Sequence, residues 1–553
     1  MRAERVWVIG LDGAPWSLIR PWAEAGELPV LRTLMQHGAW GDLESTIQPL
    51  TPCAWSTFIT GTNPGQHGLF DFTRRIPGSY QVEVVNAARR RGRSLWSILS
   101  QAGRRVGVIN VPMTYPPEPV NGFLVAGLDT PGLHSPFTYP KTLAAEIASR
   151  HVITVSTVGV SPAEYLHRTL EAVDRRFEVL RHLLRQWAPD FLMKVVVETD
   201  AIQHCSWHLL SQPDAPSHDA ILQVYRRVDW HLGELLAEMP PATTLILMSD
   251  HGAGPLDKVV YLDRWLARQG WLCLQGRDLR ADFIQRAVGL GQRYLPPAVK
   301  AWLRGQERAR TEVESTLRFG AVDWGATRAF VWGNQGNINL NLKGREPQGT
   351  VQPGAEAERL IAEIVAALHE LRDPDTGEPV VDRIYRREEL YHGPMTELAP
   401  DLLIRWRNDR YVAKTLYERQ GLEIFGHKLV FGRPGSAYAL EQTGTHTLQG
   451  ICLFYGAGVT KATHLADARL LDLAPTILHL LDIPIPEQME GHVLTEAAEV
   501  QDQPKGKPVY GEPPIAHRVS PIVPKESAIP DLRSPIPHLP PLRVMVLGLD
   551  AAT

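Results

Sequence analysis

Three short apolar runs each lead into an acidic residue, and this restricts the fold more than any other feature of the chain. Val6-Trp7-Val8-Ile9-Gly10-Leu11 ends at Asp12, Leu192 to Val197 is followed by Asp200, and Thr244 to Met248 by Asp250-His251. Near-continuous apolar strands are what a parallel sheet covered on both faces requires. Val106 to Ile109 and Ile451 to Tyr455 read as further strands of the same kind. Amphipathic segments lie between them. Ser161-Pro162-Ala163-Glu164 has a capping-box pattern with proline at the first helical position, and it predicts a helix to about Trp187. Ala355 to Leu371 repeats the helical period. Strands alternating with helices define an α/β fold whose central, mostly parallel sheet is flanked by helices.

At 553 residues the chain exceeds one ordinary domain. Residues 1–255 and 443–498 read as the core. Residues 256–442 read as an inserted cap, rich in Arg and Gly, in which Asn337-Ile338-Asn339-Leu340-Asn341-Leu342 alternates as an exposed strand would. Residues 499–542 are proline-rich and polar and read as a linker. Residues 543–553 contain Val544-Met545-Val546-Leu547-Gly548-Leu549-Asp550, an echo of the first strand. This is either the truncated start of a second repeat or a terminal strand that docks on the same sheet.

Composition narrows the class. Hydrophobic content of 44% and charged content of 21% fit a soluble globular protein, and a net charge of -4 gives no reason to expect nucleic acid. The four cysteines form no C-x-x-C pair, which excludes the usual thiolate zinc spacing and fits a reducing compartment. The N-terminal run, broken by Asp12, does not read as a signal peptide, and no run of about 18 apolar residues predicts a membrane span. The expected compartment is the cytoplasm. Oligomeric state is not legible.

In open α/β sheets ligands bind at the carboxyl ends of the strands, where Asp12, Asp200 and Asp250-His251 all fall. Asp200 and His204 stand at i and i+4, so on a helix both reach one cation. His208, one turn on, is the rival ligand and reads as a packing or surface histidine. Carboxylate and imidazole suit zinc or manganese. Thr51-Pro52 suits a hydroxyl residue at a helix N-terminus, either as a plain cap or beside an anion such as a phosphoryl group. Cys53 is the weaker candidate nucleophile of that block.

These blocks, in this order, resemble the alkaline phosphatase superfamily, in particular its type I phosphodiesterase/nucleotide pyrophosphatase branch. The resemblance covers Asp12, the Thr51 block through Thr60-Gly61-Thr62-Asn63-Pro64-Gly65-Gln66-His67-Gly68, Asp200 with His204, Ser249-Asp250-His251-Gly252 and Gly444-Thr445-His446. It closes with Asp472 to Thr476 and Met489-Glu490-Gly491.

The resemblance implies an alkaline phosphatase-like sandwich and hydrolysis of a small phosphate mono- or diester at two divalent cations, zinc or else manganese, about 4 Å apart. It implies that Asp12, Asp250 and His251 hold the cation that contacts the nucleophile Thr51, and that Asp200, His204 and His446 hold the other. His446 rests on the resemblance alone. A phospho-threonine intermediate follows from that arrangement. Phe72 stands where nucleotide pyrophosphatases carry an Asn, which weakens the case for nucleotide diesters, and His67 reads as structural. Lys343 and Arg345 are the cap residues expected to steer an anionic substrate. The alternatives are a phosphomutase or sulfatase on the same fold, or a non-catalytic, metal-stabilised binding module; Cys53 lacks the C-x-P-x-R context a sulfatase needs.

Overall fold

The computed structural model describes residues 3–497, apart from 158, 334 and 461, most of 276–318, and 416–422, 427–428 and 432–439. The proline-rich segment 499–542 and the recurring strand at 543–553 lie outside the described residues.

Nine strands form the central sheet: β1 (Arg5–Leu11), β2 (Ala39–Glu44), β3 (Val106–Val111), β4 (Gly122–Ala126), β5 (Thr138–Tyr139), β6 (Phe191–Val196), β7 (Thr243–Met248), β8 (Gln449–Gly456) and β9 (Thr463–Arg469). Their order is β9-β2-β8-β7-β1-β6-β3-β4-β5. Pairing is parallel except where β8 meets β7 and β2, and where β5 meets β4. Alternate side chains of β1 enter two separate cores. Val6 and Val8 pack with the helices Thr51–Thr60 and Leu470–Leu480; Trp7, Ile9 and Leu11 pack with Pro162–Trp187 and Ala220–Glu238. This two-sided burial is why the strands are apolar throughout.

The helix expected from Ser161 spans Pro162–Trp187. Ser161 Oγ accepts from the Glu164 N–H at 3.2 Å, whereas the Glu164 carboxylate pairs with Arg168 rather than closing the box. The other expected helix spans Ala355–His369. No helix among the described residues is long and apolar enough to cross a membrane.

A second, four-stranded antiparallel sheet runs Ala329–Trp332, Asn337–Leu340, Leu402–Trp406, Val381–Arg386 in spatial order, over its own apolar core. The strand Asn337–Leu340 is not exposed as its alternation suggested. All four residues are buried, and a hairpin from the main body, Thr73–Arg75 with Val82–Val84, reaches Asn339 through Arg75. From this segment Arg75 donates to Asn339 Oδ1 at 3.3 Å and Tyr80 to Asn341 Oδ1 at 2.8 Å, while Val82 enters the apolar core of the second sheet.

Gly10 lies in β1 directly beneath Trp55 of the helix Thr51–Thr60. A Cβ there would stand 2.6 Å from the indole Cη2 and 3.1 Å from Val195 Cγ2. Gly10→Ala is predicted to destabilise the protein by about 1–3 kcal/mol through overpacking, read as a lowered urea midpoint at unchanged m-value. Wild-type stability would show that this helix is not seated on the strand.

Candidate metal centre

Since β7, β1 and β6 are adjacent, their carboxyl ends bring three acids to one edge of the sheet. Asp12 follows β1, Asp250 follows β7, and Asp200 lies in the first turn of the helix Glu198–Ser206 after β6. Gly13, at φ +64°, permits the close approach, since a Cβ there would meet Asp200 Oδ1 at 2.8 Å.

Two clusters result, Asp12 with Asp250 and His251, and Asp200 with His204 and His446. His251 Nε2 lies 3.3 Å from Asp250 Oδ2 and 3.8 Å from Asp12 Oδ1. His204 Nε2 lies 3.2 Å from Asp200 Oδ2, and His446 Nε2 3.5 Å from Asp200 Oδ1. The His251 and His446 rings stack at 3.7 Å, which joins the clusters.

Hydrogen bonds aim each donor atom. The Trp55 indole N–H donates to Asp12 Oδ2 at 3.1 Å and the Gly13 N–H to Asp250 Oδ1 at 3.3 Å. The opposite oxygens, Asp12 Oδ1 and Asp250 Oδ2, are buried without a hydrogen bond, as are Asp200 Oδ1 and His251 Nε2. All three histidines donate from Nδ1 to backbone carbonyls: His251 to Gly252 at 3.0 Å, His204 to Gly444 at 3.0 Å and His446 to Pro49 at 2.7 Å. Those bonds leave Nε2 as the inward atom of each ring. The Nε2 atoms of His204 and His446 face each other at 3.0 Å, so a proton or a cation must lie between their lone pairs. Unpaired buried oxygens facing inward-turned imidazole nitrogens make a donor set that fits two divalent cations.

The electrostatics agree. Burial, then the charges of Asp250 and Asp200, push Asp12 well above the carboxylate range. Burial also raises Asp250, with His251 opposing and Asp200 reinforcing. Burial alone would raise Asp200 as well, but the charge and hydrogen bond of His204 hold it low, and that pairing raises His204 despite its burial. Burial and then the His251 charge press His446 well below its ordinary value.

Thr51 is the first residue of the helix Thr51–Thr60, with Leu50 at the cap position and no side-chain capping bond. Thr51 therefore stands one position inside the helix rather than at its cap. The helix is tied to both clusters, through Trp55 to Asp12 and through the Pro49 carbonyl to His446. Its far end joins the closing motif, where Asn63 Nδ2 donates to Glu490 Oε1 at 2.8 Å. Burial pushes the Cys53 thiol up to about 12, which opposes formation of a thiolate there. His67 is fully buried, accepts from the Leu69 N–H at 3.2 Å and contacts Thr57 Oγ1 at 3.0 Å; burial presses its pKa down to about 3, as a structural residue requires. His208 is exposed beside Thr443 and belongs to neither cluster.

The cap residues stand apart from this centre. Arg345 is taken up within the cap, with NH1 and NH2 donating to the two Asp401 oxygens at 2.7 and 2.6 Å and Nε to Glu346 at 2.8 Å. Its charge is thus matched by two carboxylates inside the cap. Lys343 is exposed near Glu356. Neither is in the clusters.

Comparison with known proteins gives the family. No curated protein matches the chain by sequence. Among solved structures, phosphonoacetate hydrolase from Sinorhizobium meliloti 1021, in complex with phosphonoacetate, is 15% identical with a TM-score of 0.53, covering 87% of this chain and 96% of that one. Murine ectonucleotide pyrophosphatase/phosphodiesterase 5 with AMP is 13% identical with a TM-score of 0.46 over the same shares of the two chains. The sequence family described as type I phosphodiesterase/nucleotide pyrophosphatase matches residues 6–436, a span that holds Asp12, Thr51, Asp200, His204, Asp250 and His251. With that match over most of its length, the chain belongs to the type I phosphodiesterase/nucleotide pyrophosphatase family of phosphoric ester hydrolases.

Proposed function

We propose that the protein hydrolyses small phosphate mono- or diesters at a centre of two divalent cations, with Thr51 as the nucleophile. The observation that carries this reading is the pair of three-donor clusters, one buried and one half-buried, in which Asp12 Oδ1, Asp250 Oδ2, Asp200 Oδ1 and His251 Nε2 are satisfied by no hydrogen bond, joined to the helix that begins at Thr51. Asp12, Asp250 and His251 would hold one cation, and Asp200, His204 and His446 the other. Zinc suits this mixture of carboxylate and imidazole, with manganese as the alternative. Bound there, the cations offset charge on the phosphoryl oxygens and acidify the hydroxyl beside them.

The chain's own part follows from its placement. The Thr51 hydroxyl gives up its proton, through solvent, to the departing alkoxide as its Oγ1 attacks phosphorus. An O–P bond forms as the bond to the leaving alkoxide breaks, giving a phospho-threonine. Water then cleaves that ester, releasing phosphate or a monoester and restoring the hydroxyl. The first-turn N–H groups of the helix supply positive potential for the phosphoryl oxygens. Trp55 and Gly13 hold Asp12 and Asp250 in one orientation throughout. The four free thiols support the cytoplasm as the compartment.

Thr51→Ala is predicted to lower kcat/KM for p-nitrophenyl and bis-p-nitrophenyl phosphate by at least about 10³-fold, with metal content by elemental analysis unchanged. Near-wild-type turnover would sink the nucleophile assignment.

Metal removal should also destabilise the fold in a pH-dependent way. Asp12, Asp250 and His204 have raised values in the folded chain. Without cations the fold gains from protons on these groups at low pH and loses that gain as pH rises through the raised values. A cation replaces those protons, so its stabilisation grows with pH. At about 100 times Kd it reaches about 2.7 kcal/mol, and the rise in Tm over chelator-treated protein should be larger at about pH 8 than at about pH 5. An equal rise at both would refute the linkage.

A further inference from the structure

The strand Gly444–Thr447, which carries His446, is separated from β8 (Gln449–Gly456) by one residue, Leu448. At that corner the chain passes from a two-stranded ribbon, shared with Gly252–Pro255, into the central sheet. The corner therefore sets the direction in which the ribbon leaves the sheet, and with it the place of His446 two residues earlier.

The two backbone polar groups of Leu448 are held by different parts of the protein. Its carbonyl accepts from the Ser45 N–H at 3.0 Å, and the Ser45 hydroxyl in turn donates to the Asp250 carbonyl. Its N–H donates to Asp409 Oδ2 at 3.1 Å, across the boundary between main body and cap. Leu448 is buried, so without Asp409 that N–H would be a donor with no partner. The same cap turn grips the other strand of the ribbon just beyond its end. There the Asp257 N–H donates to the Arg410 carbonyl at 2.8 Å, and Arg410 NH2 donates to Asp257 Oδ1 at 2.7 Å.

The turn is shaped for this reach. Asn408 and Asp409 stand in the left-handed region, at φ 53° and φ 54°, which residues with a side chain enter under strain and Asn and Asp enter most readily. Arg405 Nε, 3.8 Å from Asp409 Oδ1, balances the carboxylate from the side away from Leu448.

We propose that Asp409 is a positioning residue for His446, so that seating of the cap is coupled to cation loading at Asp200, His204 and His446. The inference rests on the two-cation reading above and places one determinant of cation affinity in the cap. Without the Asp409 oxygen the corner at Leu448 is free to shift, and His446 Nε2 loses its place 3.5 Å from Asp200 Oδ1. Asp12 and Asp250 follow paired strands of the central sheet and depend less on the corner.

The test is zinc binding, which requires no turnover. Calorimetric titration of chelator-stripped protein is expected to show two steps, and His446→Ala identifies the step of the second cluster by weakening it. Asp409→Gly removes the acceptor while glycine adopts the left-handed turn freely. It should weaken that same step about ten-fold, as loss of a group that orients a metal ligand does, and the other step by less than about two-fold. Asp409→Asn keeps an acceptor and tolerates the turn, and should restore the affinity to within about three-fold of wild type. An unchanged step in Asp409→Gly, equal weakening of both steps, or no rescue by Asp409→Asn would overturn the proposal. Hydrogen exchange of the wild type decides it even if a variant fails to fold. Because coupling is reciprocal, zinc should slow exchange in residues 407–410 of the cap as well as in 444–448, and slowing confined to 444–448 would also overturn it. If the wild type binds no zinc, or binds it in a manner His446→Ala leaves untouched, the two-cation reading itself is wrong and the inference falls with it.

Discussion

Burying Asp12, Asp250 and Asp200 within reach of one another is the constraint on which the rest of the structure depends. Taking a carboxylate out of water costs several kcal/mol unless a partner compensates it, and here each raises the cost of the next. The chain accepts this only because the strand ends are fixed by pairing on both sides of β1. Side-chain bonds then lock the junction. Thr199 donates to the Asp12 carbonyl at 2.7 Å, Gln203 to the Gly13 carbonyl at 3.0 Å, and a buried Arg176–Glu198 pair at 2.8 Å secures the start of the helix carrying Asp200. The acids cannot relax apart, so a cation, or protons in its stead, must neutralise them.

The histidines meet the same requirement by a different route. An imidazole has two nitrogens, and a backbone carbonyl on Nδ1 settles which one is left for a ligand. Three separate carbonyls make that choice identically for His251, His204 and His446. The preference is thus written in main-chain geometry, which side-chain substitutions elsewhere disturb little. Pro49 has two tasks in this scheme, since its carbonyl orients His446 while its peptide leads into the helix of Thr51.

Much of this was legible because it is local. Strand-end acids, the Asp200–His204 spacing and the Ser161 helix start each follow from residues within a few positions of one another, and all appear where expected. What was hidden depends on distant partners. His446 reaches the centre because the strand Gly444–Thr447 pairs with Gly252–Pro255, placing His446 opposite Ala253 next to the His251 block. No local period records that register, and only the resemblance to a family pointed to it. Asn339 looked solvent-facing because Arg75, which donates to it, lies 264 positions earlier. Arg345 looked available because Asp401, which binds it, is 56 residues away. Charge on a side chain is visible in sequence; whether that charge is already satisfied is a tertiary property.

The same division separates the strand-end acids from the cap. Asp12, Asp250, Asp200 and Thr51 lie at strand ends and helix starts about the main sheet, where pairing and two-sided burial resist change. The cap is anchored by Arg75 to Glu346, by Tyr391 to the Ile47 carbonyl at 2.6 Å, and by Gln48 to the Gln335 carbonyl at 3.2 Å. The bond from Gln48 engages the peptide carbonyl of Gln335, so that anchor persists whatever side chains the cap presents. A cap held in this way can change its side chains without altering the strand pairing that fixes Asp12, Asp200 and Asp250.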